Sequence, residues 1–166
     1  MNYRDIPFFS LLFAAVAYTP AFAIDDGAIV TCDQQKKTVK VEHILDPPNG
    51  FWKKHRATGI NFLDLLVIKK DRVVSHKSKT FQCRFNDTSI KITINPQPFN
   101  DDIQGQCGAA VTGAITIVKD DKTVLKMEPF DTSPDCITEG GKIIKTITMA
   151  ASETAPKVNR IKKPDL

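Results

Sequence analysis

The stretch Pro47-Pro48-Asn49-Gly50-Phe51-Trp52-Lys53-Lys54-His55-Arg56 sets the only tryptophan of the chain between a stiff turn and a basic cluster. Tryptophan and arginine are the side chains most enriched at interface hot spots, because they bury large area while keeping a polar handle. A tryptophan beside lysine and arginine also suits an anionic sugar or lipid headgroup, through stacking and charge together. Phe51, Trp52, Lys53, Lys54, His55 and Arg56 are therefore the candidate binding residues. The competing expectation carries slightly more weight. Single tryptophans are mostly well buried, so Trp52 would fill the core while its basic neighbours keep the loop soluble.

Catalytic chemistry is harder to assemble. None of Ser75, Ser78, Ser89, Ser133 and Ser152 stands in a G-x-S-x-G context, the strand-to-helix elbow that exposes a serine nucleophile. His43, His55 and His76 lie in separate segments, and no H-E-x-x-H spacing is present to hold zinc. An isolated histidine in an all-β chain is expected at the surface or half-buried. Asp101-Asp102, Asp131 and Asp135 could serve calcium binding or glycoside hydrolysis, but no D-x-[DN]-x-[DN]-G loop accompanies them. Neighbouring aspartates in loops are usually solvated turn formers. No catalytic residue, metal site or cofactor is assigned from the sequence. Asn86-Asp87-Thr88 fits the N-glycosylation sequon.

The four cysteines, Cys32, Cys83, Cys107 and Cys136, show no C-x2-C spacing and no histidine placed for a zinc site. An even count in an exported chain argues for two disulfides. Three pairings exist. A weak internal echo favours Cys32–Cys83 with Cys107–Cys136: Thr58-Gly59-Ile60 and Thr112-Gly113-Ala114 each lead into an apolar run with a Lys/Asp turn. Lysine and aspartate suit hairpin turns without any duplication, and that explanation is slightly preferred. The small residues of Gly105-Gln106-Cys107-Gly108-Ala109-Ala110 allow close backbone approach to a partner or to a neighbouring strand.

The elements that must position these residues are strands. Runs rich in β-branched residues are expected as strands over 28–32, 38–44, 63–69, 72–75, 80–85, 89–94, 114–119, 123–127 and 142–149. Ser89-Ile90-Lys91-Ile92-Thr93-Ile94 alternates cleanly, with three isoleucines on one face. Lys142 to Met149 is less regular. Asp46 to Gly50, Asn95-Pro96-Gln97-Pro98 and Gly140-Gly141 read as turns. Asn61 to Leu66 could open a short helix capped by Asn61, although Val67-Ile68 favours a strand there. Nine short strands suit an all-β, antiparallel two-sheet β-sandwich or flattened barrel held by two disulfides.

Residues 1–23 read as a cleavable export signal: Arg4 at the start, an apolar run from Ile6 to Ala17, Pro20, then Ala21-Phe22-Ala23 for the peptidase. The apolar run is diluted by Pro7 and Ser10 and falls short of the roughly 20 residues a membrane helix needs. The domain is expected over 24–150, followed by a flexible basic tail over 151–166. Charge is laid out in blocks: +7 over 52–84 and −5 over 85–139, within a net +4. Such blocks either steer a charged partner or neutralise one another across the fold.

The expected protein is a non-catalytic binding module of the periplasm or extracellular space. It would recognise a protein or an anionic envelope polymer or lipid, with no nucleic acid and no membrane span after cleavage. Alternatives are a periplasmic inhibitor of a hydrolase, a small secreted hydrolase, and a structural envelope subunit. Positive net charge counts against inhibition of a basic target such as lysozyme.

Overall fold

The computed structural model describes residues 26–70, 72–98, 111–130 and 142–160. The fold is all-β with antiparallel sheets. Eleven strands are described: β1 (Asp26–Asp33), β2 (Thr38–Leu45), β3 (Gly59–Asn61), β4 (Leu66–Lys69), β5 (Arg72–His76), β6 (Lys79–Phe85), β7 (Thr88–Pro98), β8 (Val111–Lys119), β9 (Lys122–Pro129), β10 (Lys142–Ala150) and β11 (Lys157–Arg160). A one-turn helix, α1 (Phe51–Lys54), and a 3-10 turn (Phe62–Leu65) are the helical pieces among them.

The strands form a five-stranded sheet in the order β11-β10-β2-β1-β3, a four-stranded sheet in the order β6-β7-β8-β9, and a separate β4-β5 ribbon. The alternating patterns orient the two larger sheets. Ile90, Ile92 and Ile94 are fully buried on β7, and Ile115 and Ile117 oppose them from β8. They join Ala28, Val30, Val39, Val41, Ile147 and Met149 of the five-stranded sheet in one apolar cluster, completed by Phe62, Leu65 and Phe130. Cys32 on β1 and Cys83 on β6 form a disulfide, with Cα atoms 5.6 Å apart, that ties the two sheets together. Cys107 and Cys136, and with them the expected second bridge, lie outside the described residues.

Three sequence expectations need correction. The strand expected from Leu63 begins only at Leu66, because the Asn61 side chain accepts a hydrogen bond from the Leu63 N–H at 2.9 Å and winds Phe62–Leu65 into a 3-10 turn. The Asn95–Pro98 turn is instead the end of β7, paired to β8 through Pro98. β6 stops opposite Ile94, so the prolines face a sheet edge with no ladder bond to lose on that side. The tail is ordered in part, since Lys157–Arg160 pairs with Lys145–Thr148. Gly59–Asn61, outside the nine expected strands, adds β3 to the edge of β1.

The irregular pattern of β10 has a structural cause. Ile143 and Lys145 occupy successive rungs opposite β2, leaving Ile144 as a bulged residue. After the bulge the pairing is regular, and Lys145, Ile147 and Met149, two apart in sequence, share the buried face. Lys145 survives there at 2 % exposure because its Nζ meets Glu128 Oε1 at 2.6 Å and the Pro129 carbonyl at 2.5 Å. A buried cation needs such compensation for its lost hydration.

Candidate functional site

Pro47 and Pro48 restrict the approach to α1, and Gly50 supplies the left-handed φ of 83° at its N-terminus. The turn closes with Lys54 N–H donating to the Gly50 carbonyl and His55 N–H to that of Phe51. The His55 carbonyl then accepts from both Thr58 and Gly59, and the Thr58 carbonyl accepts from Val30 at 2.7 Å. Those bonds pin the basic loop to β1 and β3. Phe51 stacks against His55 with centroids 4.4 Å apart, and meets Trp52 edge-on at 5.1 Å.

Trp52 is neither a core residue nor a free surface one. One edge of its indole lies over Gly27 of β1, where any Cβ would come within 2.6 Å of the ring. Glycine at 27 is thus what lets the tryptophan lie down on the strand. The ring is half-buried, and its Nε1 is buried without a hydrogen-bond partner. An indole N–H in that state is a donor left unused, at a cost of roughly 1–3 kcal/mol.

Beside the ring opens a cleft of about 580 Å³. Trp52, Lys53 and Arg56 line it together with Lys77 and Ser78 from the connection between β5 and β6 and Lys79 at the start of β6. The floor comes from β3 and the 3-10 turn, with Asp64 as the single carboxylate in the lining. The β5–β6 connection is held in place by Lys77 N–H donating to the Leu65 carbonyl at 2.8 Å. Lys79 Nζ also lies 5.6 Å from the Phe81 ring centroid.

Four cations therefore converge on one tryptophan, and among the described residues none of them forms an ion pair. Glu128, from the acidic block, instead pairs with Lys145 and with Arg160 at 3.5 Å, both from the C-terminal part of the chain. The Lys145 ammonium beside Glu128, chiefly through its hydrogen bond, holds that carboxyl below its ordinary value. The 52–84 block is left to face solvent and the cleft.

Of the six candidate binding residues, the fold brings Trp52, Lys53 and Arg56 to the cleft. Phe51 and His55 support them as a stacked pair behind α1, and Lys54 is exposed outside the lining. Lys77, Lys79 and Asp64 were not singled out from the sequence. The signal for the two lysines was their membership of the basic block, which does not say which of its members meet.

The histidines occupy different settings. His55 packs on Phe51, and His76 is exposed at the end of β5. His43, expected at or near the surface, is fully buried. Its Nε2 lies 2.8 Å from Asp26 Oδ1, and its ring packs against both Phe62 and Phe130, at 5.5 and 5.2 Å. The strand register explains this: His43 is opposite Ala28 on the core face of β2, and Asp26 is one step along that face of β1. Asp101, Asp102, Asp131 and Asp135 lie outside the described residues, as does the Gly105–Ala110 segment. Among the described residues, no group of three or more His, Cys, Asp or Glu side chains is placed to hold a metal ion. Asn86 of the sequon is exposed in the β6–β7 turn with φ of 53°.

No family model matches the chain, and comparison with curated proteins and with solved structures likewise finds no match.

Proposed function

We propose that this chain is an exported, non-catalytic binding module of the periplasm or extracellular space that takes an anionic group of an envelope component into the Trp52 cleft. The carrying observation is the convergence of Lys53, Arg56, Lys77 and Lys79 around a tryptophan with an unused buried donor. Cations without carboxylate partners raise the local concentration of an anionic ligand, and the walls of a cleft focus that field. The indole offers a flat face for a sugar ring or apolar moiety.

The residues before Ala23 support export, and a disulfide of the Cys32–Cys83 kind persists chiefly in oxidising compartments. The shared apolar cluster between the five- and four-stranded sheets supports a sandwich arrangement. Among the described residues no helix is long and apolar enough to cross a membrane.

Titration calorimetry with dextran sulfate against uncharged dextran tests the cleft. The charged polymer should bind and the neutral one should not. Trp52→Ala should weaken binding about thirty-fold, the level of a hot spot worth about 2 kcal/mol. Lys53→Ala with Arg56→Ala should abolish most of the remainder. Equal affinity for the variants and the unaltered chain would remove the cleft as the site.

A further inference from the structure

The β4-β5 ribbon departs from the pattern of the other strands. It is a two-stranded sheet of its own, with neither strand paired to a third. All five residues of β5 are exposed. Three aliphatic side chains face solvent here, Ile68 at 56 %, Val73 at 49 % and Val74 at 52 % exposure. They are three of the five large exposed hydrophobics among the described residues, so the exposure is concentrated rather than scattered. Ile68 and Val73 are partners across the ribbon, and exposed apolar surface gathered in this way marks an interaction site.

The same ribbon carries Lys69, Lys70 and Arg72, all exposed and all at its tip, where Lys69 pairs with Arg72. Lys70 takes a left-handed φ of 47° at the turn. A bulge in β5 leaves Val74 without an opposite residue, between Val73 facing Ile68 and Ser75 facing Val67. Bulges blunt an exposed strand edge and disfavour pairing with another chain.

We propose that the β4-β5 ribbon docks on an anionic lipid surface, its aliphatic side chains entering the headgroup layer while Lys69, Lys70 and Arg72 engage lipid phosphates. Lys69 and Arg72 are one rung on from Ile68 and Val73 and so take the opposite face, which suits a ribbon entering tip first, its long basic side chains reaching the phosphate level; with Asp71 the run Lys69–Arg72 keeps a net charge of +2. Each such cation adds to the attraction of an anionic leaflet. The site is separate from the Trp52 cleft and does not depend on what the cleft binds.

Co-sedimentation with vesicles of phosphatidylglycerol and phosphatidylcholine, against vesicles of phosphatidylcholine alone, decides this for the protein as its host exports it. Binding should be at least about ten-fold tighter to the anionic vesicles and should fall with added salt. The triple variants Ile68→Ser, Val73→Ser, Val74→Ser and Lys69→Gln, Lys70→Gln, Arg72→Gln should each weaken it about ten-fold or more. Both should keep the circular dichroism and unfolding midpoint of the parent, since every altered side chain is exposed. The Ile68→Ser, Val73→Ser, Val74→Ser variant should keep its binding to dextran sulfate, since none of these residues lines the cleft, which separates this surface from the Trp52 site. Equal binding to both vesicle types, or vesicle binding that survives both ribbon variants, would overturn the proposal. So would a protein complex lost with the ribbon variants while the vesicles stay unbound, which would assign the ribbon to a protein partner.

Discussion

Glu128 shows how one side chain can hold together parts of the chain far apart in sequence. It accepts from the buried Lys145 ammonium at 2.6 Å and lies 3.5 Å from Arg160 on the edge strand. Its folded-state pKa lies below the ordinary carboxyl value, mainly because Lys145 hydrogen-bonds to the ionised form. A depressed pKa means that the stabilisation is complete above the unfolded-state value of about 4.5 and is lost as pH falls through the folded-state value. Glu128→Ala should therefore cost about 1.5–3 kcal/mol at neutral pH, the worth of a hydrogen bond to a charged group. The difference in unfolding free energy between the variant and the parent should shrink in acid below pH 4.5, read by urea titration at several pH values. A difference that stays constant down to pH 2 would mean the pair contributes nothing through its charge. None of this could be read from the sequence. Lys145 shares the phase of the buried Ile147 and Met149, but nothing local in the chain marks Glu128 and the Pro129 carbonyl as the acceptors that let a lysine stand there.

At the scale of the element, the 3-10 turn is the piece on which the cleft depends. Phe62 and Leu65 anchor it in the core, while Asp64 stays exposed and lines the cleft. The Asn61 side chain fixes where strand gives way to turn by accepting the Leu63 N–H. Asn61→Ala should lower stability by about 1 kcal/mol, as for other lost N-terminal caps. It should also shift the Trp52 emission, because Asn61 is opposite Gly27, on which the indole rests. An unchanged melting temperature together with an unchanged spectrum would show that the cap is dispensable. Here the sequence held both alternatives. Asn61 was visible as a cap, but Val67-Ile68 pulled the reading towards a strand. Both signals were real, for adjacent segments. What sequence could not say was that the boundary falls at Leu66. That depends on Phe62 reaching the core, where its ring lies 5.3 Å from that of Phe130.

For the whole molecule, the Cys32–Cys83 bridge joins sheets whose strands meet in the core through side chains alone. It closes a separation of 51 residues that contains α1, the 3-10 turn, the ribbon and every lysine of the cleft. Replacing both cysteines by alanine should cost about 2–4 kcal/mol, largely by freeing the unfolded chain. The measurement is the urea midpoint under non-reducing conditions. A midpoint unmoved by the double replacement would mean that the apolar cluster alone sets the stability. The same closed segment holds most of the basic block, including Lys53, Arg56, Lys77 and Lys79, the four cations that meet in the cleft.

By itself, the sequence determined the all-β class, most strand positions, the buried isoleucine face of β7 and the basic character of the Trp52 loop. These follow from periodicity and composition, which act within a few residues and survive any arrangement of the strands. Only the tertiary structure decided that Trp52 lies on Gly27, that Lys77 and Lys79 complete its cleft, and that His43 faces Asp26 in the core. Each of these depends on register between strands distant in the chain, where a shift of one residue sends every side chain to the opposite face.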